Sequence, residues 1–423
     1  MNILIKKAVI VDPTSPFNGQ IADILISKGT ITSIDANIIS SADKTIEVEG
    51  LHVSPGWMDI FADFADPGYE FRETLESGAK AAAAGGFTDV CVLPNTKPAI
   101  DQKAVVEYVV QKAKKLAINI HPLGCITKNA EGKELAEMYD MKMNGAIAFS
   151  DGIKPVQSAG VLVKALQYVR SFNGVILQIP DDKTIHPNGL VNEGITSTRL
   201  GLPGRPEIAE EVLVARDIKL NEYAESQLHF TGVSTQRSTE LIKEAKTKNR
   251  GVTCSATPYH LFFCDEDLAS YDTNLKVNPP LRNAVDRKAL QKAVADGIVD
   301  CIASHHIPHD TDGKIVEFEY AKNGMIGLQT AYAVVNTVLQ GIAQEKLVEL
   351  FSINPRNILG LPVHSINTGA PASLTLFNPK EKWTLQKKDI PSRSTNSPFI
   401  GIEFTGRPMG IIHNNQIIIN QIA

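Results

Sequence analysis

The sequence has few features of a disulfide-bonded, membrane-spanning or nucleic-acid-binding protein. Its 423 residues include only five cysteines, scattered without a Cys-x-x-Cys pair, which argues against a disulfide framework or a cysteine-based zinc site. No apolar run approaches the roughly 18 residues that a membrane-spanning helix needs. The net charge is −5, from 42 Lys and Arg against 47 Asp and Glu, so nucleic acid and anionic membranes are not expected partners.

A secretory signal is also missing from the start of the chain. The first residues, MNILIKKAVIVD, alternate like a β-strand and carry no cleavable apolar segment, so we expect a cytoplasmic protein. Hydrophobic residues make up 43% of the chain and charged residues 21%, which is typical of a globular protein and excludes a disordered or fibrous one.

Both ends of the chain have the pattern of β-strands. Residues 1–53 and residues 367–423 alternate apolar and polar side chains, and a hairpin is predicted around Asn414-Asn415. Neither end is long enough for a comfortable core of its own. We therefore predict that the two ends pair into one small β-sandwich domain, which places the termini together.

The middle of the chain, residues 54–366, follows a different pattern. Short apolar segments rich in β-branched residues recur there, each followed by a stretch of helical periodicity. The segments are residues 53–61, 88–94, 118–124, 146–151, 174–180, 227–234, 251–257 and 299–306. Eight nearly continuous apolar strands alternating with helices predict an α/β fold of the TIM-type (β/α)8 barrel class.

Active sites of such barrels lie where the strands end, so the polar residues at those positions are the candidates for function. Asp63, Asp151 and His305 are the only trio of potential metal ligands at suitable strand ends. Pro308 prevents a regular helix that would align His305 with His309. The alternatives stay open: these histidines bond loop backbone, Asp151 caps a turn, and the strand histidine His229 is a satisfied core residue.

Several longer segments resemble one known family. They are SPGWMDIFADFADPGYEFRETLESGAKAAAAGGFTDVCVLPNTKP, NEGITSTRLGLPGRPEIAEE, GVSTQRS, YDTNLKVNPPLR, IASHHIPH, SLTLFNP and NSPFIGIEFTG. Over essentially its whole length the chain resembles class I dihydroorotases of the amidohydrolase superfamily. The resemblance implies a zinc-dependent barrel that hydrolyses dihydroorotate to N-carbamoyl-aspartate in pyrimidine biosynthesis, or runs the reverse condensation.

The residues that carry the chemistry in this family are mostly different here. Where the family has its first-strand His-x-His-x-Arg, this chain has Phe61, Asp63 and Ala65. Two further ligand histidines correspond to Gln178 and Gly232, the catalytic aspartate corresponds to His305, and only the aspartate at Asp151 is kept. The residues that contact substrate in the family remain, as Asn95, Asn278 and His309.

These differences predict a protein without a binuclear zinc centre and without hydrolytic activity, so no cofactor is expected. Phe61 and Gly232 have no lone pair to offer a metal, and an amide oxygen from Gln178 is a weak ligand. Without a metal, water keeps a pKa near 15.7 rather than about 7, and its deprotonation costs about 11 kcal/mol more.

Three functions are compatible with the sequence. The first is a non-catalytic homologue that supports assembly of aspartate transcarbamoylase, as inactive copies in this family can. The second is an active dihydroorotase or cyclic amidohydrolase with a site, and any metal, rebuilt on Asp63, Asp151 and His305. The third is a sensor that holds a carboxylated pyrimidine on Asn95, Asn278 and His309 without hydrolysing it. A homo-oligomer is expected in each case.

The substitutions also predict how the barrel mouth is filled. We expect Phe61 to pack into the mouth in place of an imidazole and a metal. We expect His305 to become a cation within hydrogen-bond reach of Asp63 or Asp151, or of a water between them.

Overall fold

Two large sheets organise the part of the chain that the computed structural model describes, residues 1–248 and 251–420. The strands in chain order are β1 (Asn2–Ile10), β2 (Ile21–Ser27), β3 (Thr30–Asp35), β4 (Lys44–Glu47), β5 (His52–Pro55), β6 (Trp57–Ala62), β7 (Phe87–Val92), β8 (Asn119–Gly124), β9 (Ala148–Phe149), β10 (Val175–Gln178), β11 (Val191–Asn192), β12 (Gly204–Arg205), β13 (Gln227–Thr231), β14 (Val252–Ala256), β15 (Cys301–Ile302), β16 (Leu374–Thr384), β17 (Glu403–His413) and β18 (Gln416–Ile419).

The α-helices lie mainly between the strands of the second sheet. They are α1 (Leu75–Ala84), α2 (Lys103–Ala113), α3 (Met138–Met143), α4 (Ala159–Arg170), α5 (Ile195–Leu200), α6 (Ile208–Ala224), α7 (Gln236–Thr247), α8 (Pro258–Phe262), α9 (Ala284–Ala295), α10 (Ala331–Val338), α11 (Gln344–Val348) and α12 (Asn354–Leu359). A π-helical turn, Glu349–Ile353, joins the last two. Within the described residues, none of these helices has the length and apolar character needed to cross a membrane.

The first sheet is built from both ends of the chain. Its strand order is β18-β17-β16-β5-β1-β2-β3, with β4 paired to β1 as a parallel branch. Its buried face is rich in isoleucine, as the alternating pattern predicts. β17 and β18 form the predicted hairpin, with His413 opposite Gln416 and both Asn414 and Asn415 at positive φ. The prediction that the two ends share one β unit is confirmed.

The second sheet is a parallel barrel of eight strands in the order β6, β7, β8, β9, β10, β13, β14 and β15. Each of the eight predicted segments supplies one strand. Most strand residues are buried, because helices cover the outside and side chains fill the inside. A bridge between Ala62 and His306 and a hydrogen bond from the Asp63 N–H to the His306 carbonyl (2.8 Å) join the last strand segment to the first. The predicted TIM-type barrel is confirmed.

A buried polar cluster fastens the base of the barrel where the first sheet meets it. Arg356 on α12 donates to the carbonyls of Gly56 (2.7 Å) and Ser352 (2.9 Å) and to the carboxylate of Asp89 on β7 (2.6 Å). Although burial acts to raise it, the pKa of Asp89 is held well below its usual range by the hydrogen bond with His121 and by the charge of Arg356. The guanidinium therefore neutralises the carboxylate and satisfies two backbone carbonyls at once.

Replacing that arginine tests how much the cluster contributes. Arg356→Met should lower the free energy of unfolding by about 3–5 kcal/mol, because Asp89 would be left buried without its cation. Urea unfolding followed by tryptophan fluorescence measures the change. Lys382→Met, which breaks an exposed pair with Glu403, is the matched control and should lower it by less than about 1 kcal/mol. Equal losses in the two variants would contradict this role of Arg356.

Candidate functional site

Two rings fill the centre of the barrel mouth. Phe61, near the end of β6, and His305, which follows β15, are both 0% exposed, and their ring centroids lie 4.4 Å apart at an angle of 31°. They come from the two strand segments whose pairing closes the barrel. The prediction that Phe61 packs into the mouth is confirmed.

His305 is not the partner of an aspartate. Its Nε2 lies 2.7 Å from the Thr231 hydroxyl, and its Nδ1 is buried without a hydrogen-bond partner among the described residues. Burial, with small contributions from His260 and His229, lowers the pKa of His305 to about 3, so the ring is neutral at pH 7. The expected His305 cation paired with Asp63 or Asp151 is therefore wrong, because the buried ring packs on Phe61 and bonds Thr231 instead.

A chain of hydrogen bonds continues from His305 down the inside of the barrel. Ser255 donates to the Thr231 hydroxyl (3.1 Å), and His229 bonds Ser255 through Nε2 (3.1 Å) and Thr253 through Nδ1 (2.9 Å). Burial lowers the pKa of His229 to about 3. Both ring nitrogens of His229 have partners, so its interpretation as a satisfied core histidine is confirmed.

Gly232 provides the space that His305 occupies. It has a φ of +73°, which favours glycine, and a Cβ added there would lie 2.6 Å from Cε1 of His305. A side chain at this position is thus disfavoured for two reasons: the backbone is left-handed, and the ring of His305 fills the space beside it.

Gln178, at the end of β10, uses its amide on the surrounding protein. Its Nε2 donates to the Asp217 carboxylate (2.9 Å) and, at 3.3 Å, to the Val156 carbonyl, while its Oε1 accepts from the Val156 N–H (3.1 Å). Burial raises the pKa of Asp217 to about 6. The amide oxygen is engaged, so Gln178 joins β10 to α6 and to the loop before α4.

Asp151 shapes the loops around it. Its carboxylate accepts hydrogen bonds from the N–H groups of Ile126 and Thr127 (2.9 Å each) and from the Thr127 hydroxyl. Burial raises the pKa of Asp151 to about 6. It therefore holds the loop that follows β8, rather than capping a turn at its own position.

Asp63 has a partner that the sequence pattern did not reveal. Its carboxylate accepts from the Ala65 N–H (2.7 Å) and lies 3.4 Å from Nη1 of Arg72, which reaches it from the loop before α1. Burial raises the pKa of Asp63, although the charge of Arg72 opposes the rise. Arg72 lies in the first of the segments quoted above for the family resemblance. A loop separates it from Asp63, and no rule of sequence spacing predicts that the two side chains meet.

The donor groups at the mouth do not fit a zinc ion. Hydrolytic zinc needs about three nitrogen or carboxylate ligands that converge on one point. Asp63, Asp151 and His305 bond to Arg72, to a loop and to Thr231 respectively. Across residues 1–248 and 251–420, no three His, Cys, Asp or Glu side chains are grouped to hold a metal.

The three predicted substrate contacts divide between two places. Asn95 and His309 line one cavity of about 530 Å³. Asn278 instead donates to the carboxylate of Asp181 (3.1 Å), which is also paired with Arg205 and Lys183. Asp181 lies shortly after the end of β10. That position after a strand is the sequence feature that could have identified it as a candidate site residue.

A second group missed from sequence is the buried carboxylate of Glu73. It accepts hydrogen bonds from the Ser77 and Ser392 hydroxyls and the Arg393 N–H, and it lies 3.4 Å from Nε2 of His306. Burial acts to raise its pKa, but the hydrogen bonds, led by that from His306, hold it below the usual range. Since these partners occupy the carboxylate, Glu73 anchors the segment around Ser392 next to His306.

The neutral state of His305 can be tested by pH. Its folded-state pKa of about 3 lies below the unfolded value of roughly 6.5, so the unfolded chain binds the extra proton and stability is lost as pH falls below 6.5. Between pH 7 and pH 5 the wild type should lose about 2 kcal/mol of unfolding free energy more than His305→Gln does.

Urea unfolding at the two pH values measures the difference, and His364→Gln, which removes a partly exposed histidine, is the control. A His305 cation paired with an aspartate would give the opposite sign, since the wild type would then gain stability over His305→Gln at pH 5.

Comparison with known proteins places this geometry in a family. A family model described as "Dihydro-orotase-like" matches residues 50–238. The proteins named Dihydroorotase from Geotalea daltonii and Acetivibrio thermocellus are each 39% identical to this chain, over 422 and 423 residues, with 99% of both chains covered in each case. An L-hydantoinase (dihydropyrimidinase) from Arthrobacter aurescens shares the fold, with a TM-score of 0.87 and 23% identity over 99% of this chain and 96% of that one. The chain belongs to the dihydroorotase family.

Proposed function

We propose that this chain is a member of the dihydroorotase family that does not hydrolyse dihydroorotate and that serves as a structural subunit. The observation that carries the proposal is the packing of Phe61 on His305 at the centre of the mouth. The family's reaction needs an activated water at the strand ends, and here the two rings fill that region with buried, uncharged groups.

The chemistry of the remaining groups supports this proposal. Ring opening needs a hydroxide or an equivalent nucleophile, and an unactivated water is harder to deprotonate than a zinc-bound one by about 11 kcal/mol. A general base could lower that barrier only if its pKa lay near the working pH. Burial lowers the pKa of His305 to about 3, and its Nε2 faces Thr231, so it is poorly suited to that task.

A second candidate is that the chain is an active dihydroorotase with a rebuilt site. The observation in its favour is the 38–39% identity over 99% of the chain to proteins named Dihydroorotase. This candidate requires Asp63, Asp151 and His305 to leave their present partners and converge. We rank it second, because each of the three is bonded to a different part of the protein.

An activity assay separates the two candidates. The purified chain, supplemented with zinc or manganese, should show no dihydroorotate ring opening above a no-enzyme blank. The Geotalea daltonii protein named Dihydroorotase is assayed in parallel as the reference. Metal-dependent turnover that is lost in Asp63→Asn and in His305→Gln would refute the proposal and support the rebuilt site.

Restoring the family residues provides the internal control for this assay. The full set is Phe61→His, Asp63→His, Ala65→Arg, Gln178→His, Gly232→His and His305→Asp. Each single change should leave the activity at the level of the no-enzyme blank, because the effects of residues that act as one unit are strongly non-additive. Gly232→His also requires His305→Asp, since the present ring occupies that space. Turnover of dihydroorotate by the Phe61→His variant alone would contradict this expectation, because it would show that the other mouth residues already support hydrolysis.

The structural role predicts a partner, and we propose aspartate transcarbamoylase. The support is the family resemblance, since inactive dihydroorotase copies can support assembly of that enzyme. The tagged full-length chain should co-purify with aspartate transcarbamoylase from its own cells at constant stoichiometry through size-exclusion chromatography. His305→Gln should co-purify equally, because the proposed role does not use the mouth. Elution of the chain separately from the enzyme would argue against this partner.

A further inference from the structure

A row of exposed side chains, most of them apolar, runs along the outer face of α6, the helix between β12 and β13. Successive members lie three or four residues apart, so they share one side of the helix. The members are Ile208, Val212, Ala215, Lys219 and Tyr223. We refer to them as the α6 stripe. At about 1.5 Å per residue, the stripe is about 22 Å long.

The packing of a single chain does not account for the α6 stripe. Ile208, Val212 and Tyr223 are 52%, 40% and 74% exposed, although α6 already buries a different apolar face in the protein. The neighbouring helix α7 has the usual pattern, because its exposed positions are all polar: Gln236, Arg237, Lys243, Glu244 and Thr247. A surface helix with apolar residues on both its inner and its outer face indicates a second packing surface.

The charge beside the stripe is unevenly distributed along α6. At the N-terminal end, burial and the nearby carboxylates of Glu207 and Glu210 raise the pKa of Glu211. Arg282 and Arg237 oppose the rise, but each forms an ion pair with another glutamate. Glu211 is therefore a crowded carboxylate that a further cation would stabilise.

Charge complementarity indicates what covers the stripe. The exposed Lys219 lies eight residues after Glu211, about 12 Å further along the helix. When a second α6 lies antiparallel on the first and the two helices cross at Ala215, Lys219 of each chain comes level with Glu211 of the other. A twofold contact uses the same surface on both chains, so this pair forms twice. The small side chain of Ala215 at the crossing point lets the two helices approach closely.

We propose that the α6 stripe is the docking surface for a second copy of this chain, in an antiparallel twofold contact of α6 on α6. The proposal does not depend on whether the chain catalyses a reaction, because the stripe contains no residue of the barrel mouth. It assigns a surface to the homo-oligomer expected from the sequence. The helices α4 and α7, which pack on either side of α6, supply the polar rim that surrounds the apolar centre of a protein interface.

Size-exclusion chromatography with light scattering tests the proposal on the purified full-length chain. At micromolar concentration the wild type should have at least twice the chain mass of 45.9 kDa. Val212→Glu should halve the measured mass, because it places a charge inside the apolar contact. The matched control is Ile39→Glu, the same kind of change at an exposed residue between β3 and β4, which should leave the mass unchanged. Both variants should keep the far-ultraviolet circular dichroism of the wild type, since both positions are exposed.

Charge reversal distinguishes a second copy from any other occupant of the stripe. Glu211→Lys and Lys219→Glu should each weaken self-association at least fivefold at low salt, because each variant brings like charges together at both pairs of its own dimer. An equimolar mixture of the two variants should associate again, since a mixed dimer has opposite charges at both pairs.

Three results would each overturn the proposal: a monomeric wild type, an unchanged mass for Val212→Glu, or a mixture of the charge variants that associates no better than either one alone. A monomeric wild type that co-purifies with another protein, and loses that protein in Val212→Glu, would assign the stripe to the other protein instead.

Discussion

The stacking of Phe61 on His305 is the contact on which the rest of the mouth depends. The two rings come from the first and last strand segments of the barrel, beside the bridge between Ala62 and His306 that closes it. With the rings in place, Gly232 must lack a side chain and Thr231 is positioned to bond Nε2. The packed pair therefore explains why residue 232 is glycine and why the Thr231 hydroxyl bonds His305.

The eight barrel strands could be predicted because burial on both faces leaves a clear signal. Parallel strands covered by helices appear as short, almost continuous apolar segments, even where the hydrogen-bonded ladder is only two residues long, as in β9 and β15. The pairing of the two chain ends could be predicted for a different reason: each end alternates like a half-buried strand, and neither can bury its apolar face alone.

The contacts inside the mouth could not be predicted in the same way, because they depend on side-chain direction after a strand ends. Charge complementarity suggested a His305 cation near an aspartate, but His305 has a φ of +45° and its ring stacks on Phe61. Burial then favours the neutral imidazole, so the expected ion pair does not form. Arg72 was missed for a related reason: a long side chain crossed a loop to reach Asp63, and sequence spacing does not describe that path.

The mouth residues satisfy one another and the loops around them. Gln178 uses its amide on Asp217 and Val156, and Asp151 uses its carboxylate on a loop, so each joins a strand end to the protein around it. A histidine placed at Gly232 meets the His305 ring, and a histidine at Phe61 removes the ring on which His305 packs. Changes at contacting residues are not additive, so we expect substitutions at Phe61, Gly232 and His305 to be coupled. The mouth therefore behaves as one packed unit, in which a change at Phe61, Gly232 or His305 affects the packing of the other two.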